Sequence, residues 1–208
     1  NQTNVNQTEV VKGIPASGGI AIGKAFLIEE EAEFGLVPRK IPKQRLKKEV
    51  ERFKSAVNQV RQELDSTKEK MLKILGKEHT PLVEAYLLML DDPILTKDVV
   101  KRITEQLVNA EYALWSTMGR IFQSFELIDD EYFRERKNDV QELGKRILRY
   151  LTGIHRRPLT EVTTESVIIA HNLDPSDIVG IKEHGGNGFA INIGSKTSHV
   201  VLIAQGLE

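Results

Sequence analysis

No cysteine occurs among the 208 residues. That excludes disulfides, thiol catalysis and zinc–thiolate sites. No apolar run approaches the roughly 20 residues needed to span a bilayer. Charge of one sign is not in excess either. The 29 Lys and Arg and 30 Asp and Glu leave a formal net charge of −1, which points to neither nucleic acid nor an anionic membrane as partner. The polar opening from Asn1 to Glu9 lacks a basic region and an apolar core, so it is not read as a secretory signal. The two Asn-Gln-Thr sequons at Asn1 and Asn6 then read as chance, and the expected location is cytoplasmic. The first residue is not Met, as in a chain excised from something longer.

What is present suits a soluble globular protein of one large or two small domains, 40% apolar and 28% charged. Residues 10–28 are rich in Gly and β-branched residues and predict a strand–turn–strand segment. From about Pro42 the pattern becomes helical. Leu46, Val50, Phe53, Val57, Val60 and Leu64 recur at alternating spacings of four and three, and Met71 and Leu75 continue the stripe up to a capping Gly76. Thr80-Pro81 predicts the start of a second helix running to about Leu90, which Asp92-Pro93 interrupts. Two more helices are expected near 95–109 and 111–127. A last one carries Phe133, Arg136, Val140, Leu143, Ile147 and Leu151 on one face and ends at Gly153. Short connections imply antiparallel neighbours in a bundle. After Pro158, Val167–Ala170 reads as a buried strand, Asp174-Pro175 with Asp177 as a helix start, and Phe189–Ile193 as a second strand. This is a β-α-β-α unit with a parallel sheet. The fold class is therefore α/β plus all-α: an α/β domain, over 1–36 and 156–208, interrupted by an antiparallel helical-bundle insertion over 37–155. The C-terminal part of the α/β domain is expected to be missing.

The most informative stretch is Gly194-Ser195-Lys196-Thr197-Ser198-His199, followed by the apolar run Val200–Ala204. A glycine-led polar loop then sets one histidine in the first turn of a helix. Helix starts have unpaired N–H groups and a positive dipole end, so they receive phosphate readily. The same dipole disfavours imidazolium and keeps the ring a neutral nucleophile near pH 7. By spacing alone, a Thr197 or Ser198 cap followed by an ordinary histidine describes the stretch more often. A nucleotide-binding P-loop fits poorly, because Gly188 lies six residues before Gly194 rather than five and the intervening residues read as strand. His79, His155, His171 and His184 fall on expected loops or helix ends without metal-ligand spacing. Of these, only His171 follows a strand closely enough to lie near His199.

Several motifs fall in one order: GIPASGGIAIGKAF at the opening, Asp129-Asp130-Glu131-Tyr132 with Gly144-Lys145-Arg146, Asn172-Leu173-Asp174-Pro175-Ser176-Asp177, and GSKTSH. Together they resemble the N-terminal half of Enzyme I of the bacterial phosphoenolpyruvate:sugar phosphotransferase system, over roughly residues 12–208. The resemblance implies a swivelling phosphohistidine α/β domain. His199 would accept a phosphoryl group, at Nε2, from phosphoenolpyruvate held on a separate C-terminal domain. It would then pass the group to the histidine of the carrier protein HPr. Such covalent catalysis by imidazole relies on positioning and charge stabilisation. Gly194, Ser195, Lys196, Thr197 and Ser198 become the loop that holds phosphoryl oxygens. The helical insertion becomes the HPr-docking domain. Its matching positions are Glu78, Leu82, Glu84, Tyr86, Met89 and Leu90 on the second helix and Arg136 on the last. Leu82, Tyr86 and Met89 at this helical spacing are more often core, and Arg136 could equally pair with Glu135 or Asp139. Mg²⁺ belongs, on this resemblance, to the C-terminal domain, and no metal is expected here.

The chain departs from that pattern at Ser195, Lys196, Val200 and Gln205. Lys in place of the usual Arg loses bidentate phosphate recognition. Ile178 stands where the family often has a hydroxyl able to bond the histidine, so the group that orients His199 stays open. Two other readings accompany the main one: a nitrogen-regulatory paralogue of Enzyme I, and a non-catalytic docking module with an inert His199.

Overall fold

The computed structural model describes residues 9–28, 37–126, 131–154, 158–193 and 199–205, and for 125, 126, 131–138 and 199 the backbone only. Within these residues the protein is mostly helical with one small sheet. Strand β1 (Lys24–Ile28) leads into five helices: α1 (Leu46–Ile74), α2 (Pro81–Asp91), α3 (Pro93–Gln106), α4 (Ala110–Glu126) and α5 (Glu131–Thr152). Strand β2 (Ser166–Ala170), helix α6 (Pro175–Glu183), strand β3 (Gly188–Ile191) and helix α7 (His199–Gln205) complete the chain. No helix among the described residues is long and apolar enough to cross a membrane.

The helices form where the sequence places them. α1 buries Phe53, Val57, Val60, Leu64 and Met71 from the expected stripe, and packs against α2, α3, α4 and α5. A positive φ of 93° at Gly76 lets the chain leave α1, a conformation that costs glycine no Cβ clash. Gly153, at φ 71°, follows α5 in the same way. Thr80 stands before α2 as expected, yet its hydroxyl makes no capping bond. It donates instead to the Lys77 carbonyl at 3.0 Å, and Pro81 removes one orphan N–H from the helix start. Asp92 caps α3 by accepting from the Ile94 N–H at 2.7 Å.

Helix α3 ends at Gln106, short of the expected 109. Leu107 turns left-handed (φ 55°), and residues 107–109 pair instead with the chain entering the bundle. Ile41 N–H donates to the Leu107 carbonyl, and Asn109 N–H to the Arg39 carbonyl. A buried polar hub forms beside this crossing. Glu111 accepts both terminal nitrogens of Arg52, at 2.8 and 2.9 Å, and the Asn109 amide at 2.8 Å. Burial by itself would raise the Glu111 pKa, but the bonds from Arg52 and Asn109 outweigh it and hold the carboxyl below its ordinary 4.5. A carboxylate whose pKa is depressed by folding adds stability above its unfolded pKa and loses it as pH falls through the folded value. The urea midpoint is therefore expected to hold from pH 7 to about 5 and to decline below that, and Glu111→Gln should flatten part of the decline.

The sheet is parallel throughout, in the order β1-β2-β3, with Ala25 opposite Val167 and Ile168 opposite Phe189. The expected strand–turn–strand over 10–28 is corrected to the single strand β1. Residues 9–23 form no ladder, and the partner of β1 is β2, beyond the whole bundle. Pro15 has no N–H to donate and the four glycines of this stretch weaken strand formation. The fully buried strand expected at Val167–Ala170 is likewise only half buried. Phe26, Ile28, Ile168 and Ala170 face inward, whereas Leu27 and Ile169 of the opposite face are exposed. The inward face joins Ile178, Ile181, Val200 and Ile203 in a hydrophobic core continuous with that of the bundle.

Candidate functional site

The candidate centre is assembled from α6, the ends of β2 and β3, and the start of α7. Asp174 and Asp177 form a reciprocal capping box. The Asp174 carboxylate accepts from the Asp177 N–H, and the Asp177 carboxylate from the Asp174 N–H, both at 2.9 Å. Pro175 at the first helical position adds a preset φ. The sequence-level helix start is thus borne out down to its hydrogen bonds. α6 packs against α1 on one side and α7 on another.

Helix α7 begins at His199. Val200, Val201 and Ile203 are buried, so the apolar run anchors the helix and sets where the backbone of its first residue lies. Residues Gly194, Ser195, Lys196, Thr197 and Ser198 lie outside the described residues, as does the His199 side chain. The His171 carbonyl, just after β2, accepts from the N–H groups of Asn192 and Ile193, at 3.1 and 3.0 Å. Its ring Nδ1 lies 3.3 Å from Asn192 Nδ2. His171 therefore ties the end of β2 to Asn192 and Ile193, which follow β3. Ile178 is buried on α6 in the apolar core, as its hydrocarbon side chain requires. Gln205, near the end of α7, donates its amide to the Ala16 carbonyl.

Of the residues matched to a docking face, Glu78 is exposed in the short turn before α2, and Leu82 and Met89 are partly buried against the core. Glu84 is paired with Lys68 Nζ at 3.0 Å, and this bond holds its carboxyl below the usual range. Tyr86 and Leu90, at 4% and 1% exposure, are core residues. Tyr86 and Leu90 therefore do not line a docking surface: positions 83, 86 and 90 of α2 turn toward the bundle. Tyr86 Oη lies 3.5 Å from Asp139 Oδ1, and burial raises its pKa. The surface apolar residue of α2 is Leu88, at 73% exposure, which sequence reasoning passed over. Its position on the face of α2 opposite Val83, Tyr86 and Leu90 is the signal that could have found it. Arg136 belongs to α5, but its side chain is outside the described residues.

The Gly144-Lys145-Arg146 motif gave no sign that Arg146 is buried, to 1% exposure. Its guanidinium reaches Glu63 of α1 at 2.5 Å and Asp174 at 2.7 Å, and donates to Ser176 Oγ at 3.0 Å. Burial alone would lower the Arg146 pKa. Asp174, Glu63, Glu142 and Asp177 outweigh that and raise it, so the cation persists at every accessible pH. Tyr150, one turn along, donates to Glu63 at 3.0 Å, and burial together with that carboxylate pushes its pKa up to about 12.

With this geometry in view, the relatives of the chain become informative. Residues 12–136 match the family described as PEP-utilising enzyme, N-terminal, and residues 162–208 match PEP-utilising enzyme, mobile domain. A phosphoenolpyruvate-protein phosphotransferase of Bacillus sp. (strain S) is 37% identical over 205 residues, 99% of this chain and 35% of that protein. The enzyme of that name from Bacillus subtilis (strain 168) is 37% identical over 198 residues, 95% of this chain and 34% of its own. The chain thus spans about a third of the length of these relatives. Among solved structures, the NMR solution structure of Enzyme I (nEIt) superposes with a TM-score of 0.76 at 36% identity, over 92% of this chain and 77% of that one. The N-terminal domain of Enzyme 1 - Nitrogen shares the fold, with a TM-score of 0.66 at 20% identity over 93% and 79% of the two chains. Both family segments and a closely superposing solved relative place the chain plainly: it belongs to the PEP-utilising enzymes, as an N-terminal portion of Enzyme I.

Proposed function

We propose that this chain is the phosphocarrier portion of a phosphoenolpyruvate-protein phosphotransferase, with His199 as its nucleophile. The observation that carries the reading is the position of His199 as first residue of α7, within the segment matched to the mobile domain of PEP-utilising enzymes. A ring at a helix start meets unpaired backbone N–H groups and the positive end of the dipole. Both favour a neutral imidazole before transfer and an anionic phosphoryl group after it.

In this reading, the lone pair on His199 Nε2 attacks phosphorus while the bond to the leaving oxygen breaks. Thr197, Lys196 and the N–H groups of 194–198 take the phosphoryl oxygens. The second transfer reverses the roles, with the histidine of an HPr-type carrier as acceptor. Phosphoenolpyruvate, and the Mg²⁺ that accompanies it, are assigned to a C-terminal domain of the same enzyme, in the cytoplasm. Among the described residues no group of three or more His, Cys, Asp and Glu is placed to hold a metal ion, and no step here is routed through one. The domain division follows the sheet. Segments 1–36 and 156–208 form the phosphohistidine domain, and 37–155 forms the docking bundle. β1 pairs with β2 across that insertion, which supports the division. On the bundle, Glu78, Leu82, Glu84, Met89 and Arg136 stay in the docking set and Leu88 joins it. Tyr86 and Leu90 shape the helix beneath.

The experiment is intact-mass analysis after mixing the chain with phosphorylated HPr. An acid-labile gain of one phosphoryl group is the expected result. No gain, with HPr still bound, would favour the non-catalytic docking module. Gain from the nitrogen-pathway carrier but not from HPr would favour the nitrogen-regulatory paralogue, whose fold this chain shares.

A further inference from the structure

Helix α6 is held to the bundle by charge at both ends. At its start, Arg146 of α5 reaches Asp174 and Ser176, at 2.7 and 3.0 Å, while its other terminal nitrogen holds Glu63 of α1 at 2.5 Å. At its end, Glu183 pairs with Lys70 of α1 at 2.7 Å. One buried guanidinium thus joins three helices. The fork geometry of arginine is what allows it, since a lysine ammonium cannot serve two separated carboxylates in one plane. A buried ion pair of this kind adds little net stability relative to an apolar replacement of both partners, and it suits a role in holding one arrangement. α6 in turn packs against α7, which begins at His199. It is therefore the element that stands between the docking helices and the phosphocarrier histidine.

We propose that Arg146 is a positioning residue for phosphoryl transfer: by fixing the start of α6 on the bundle, it sets where His199 stands relative to the docking helices. This inference rests on the phosphocarrier reading of His199. Without the guanidinium, the buried Asp174 and the partly exposed Glu63 become neighbouring carboxylates with no shared cation. They repel each other, and α6 gains freedom to shift on α1. A displacement of about 1 Å at the reacting atom is enough to slow a transfer by up to about 100-fold.

The absence of cysteine makes the test direct. Cysteines introduced at Lys97, exposed on α3, and Leu202, exposed on α7, accept spin labels without competition, and the distance between them reports α7 against the bundle. The expected result is one narrow distance in the parent chain. In Arg146→Met, a broadened or second distance should appear with helix content by circular dichroism retained. Transfer from phosphorylated HPr at saturating carrier should fall about 10- to 100-fold, with KM for the carrier within about twofold, since Arg146 does not touch the carrier in this proposal. Unchanged distances would overturn the proposal, and so would altered distances with unaltered transfer. Should Arg146→Met not fold, Arg146→Lys keeps the buried charge and loses the fork, and the same two readouts decide. A parent chain that takes up no phosphoryl group fails the phosphocarrier reading instead, and the label distances still decide whether Arg146 holds α6.

Discussion

Replacing Asp174 with alanine is expected to destabilise the protein by about 3–5 kcal/mol, the range for breaking one side of a buried ion pair. The carboxylate is buried and takes part in two structures at once. It caps α6, accepting from the Asp177 N–H at 2.9 Å and from Ser176 Oγ at 2.6 Å. It is also the counter-charge of Arg146 at 2.7 Å. Alanine removes a cap that contributes about 1 kcal/mol and leaves a guanidinium at 1% exposure with one carboxylate fewer. The two losses share a partner and need not add. Asp174→Asn retains the capping oxygen but loses the charge and the second acceptor that faces Arg146, so it should fall between wild type and Asp174→Ala. Urea unfolding checks both, with a lower midpoint at unchanged slope. A loss below about 1 kcal/mol for Asp174→Ala would mean that Glu63 and water satisfy Arg146 without it.

His199→Ala is expected to abolish phosphoryl uptake outright while leaving the fold in place. The side chain is the proposed bond-forming atom donor, and removing a covalent nucleophile leaves no alternative route to the same intermediate. α7 is anchored by Val200, Val201 and Ile203, which the substitution does not touch, so the stability change should stay within about 1 kcal/mol. The mass gain after mixing with phosphorylated HPr should be absent, and titration of the carrier by NMR should show unchanged binding. Residual acid-labile phosphate on the variant would move the carrier role to another histidine, with His171 the first to examine, given its place beside Asn192 before the loop.

How far the fold could be read in advance depended on the range of the interactions involved. The stripe from Leu46 to Leu75 named the buried face of α1 correctly because helical periodicity is a local property. Gly76, Asp92-Pro93 and the Asp174-Pro175 start were legible for the same reason, since caps and breaks act within a few residues. The hairpin expected over 10–28 failed because a strand needs a partner, and that of β1 lies beyond the bundle. Pro15 and the four glycines are the local features that weigh against a strand over residues 9–23.

The site divides along the same line. His199 could be singled out from GSKTSH and the apolar run behind it, and Tyr86 and Leu90 could be matched to a docking helix but not oriented on it. Leu88 rather than Leu90 faces outward because α2 packs its Val83, Tyr86 and Leu90 stripe against the bundle. Arg146 stands in the Gly144-Lys145-Arg146 motif, but nothing local marks it as buried. It sits in a charged stretch of an amphipathic helix, and its partner Glu63 is 83 residues away. Local sequence alone determined the helix starts and stops other than the end of α3, which histidine stands at a helix start, and the family to which the motifs point. Tertiary structure decided which charges are buried, which apolar residues remain outside, and how α6 joins the bundle to α7, because those depend on contacts between residues that only folding brings together.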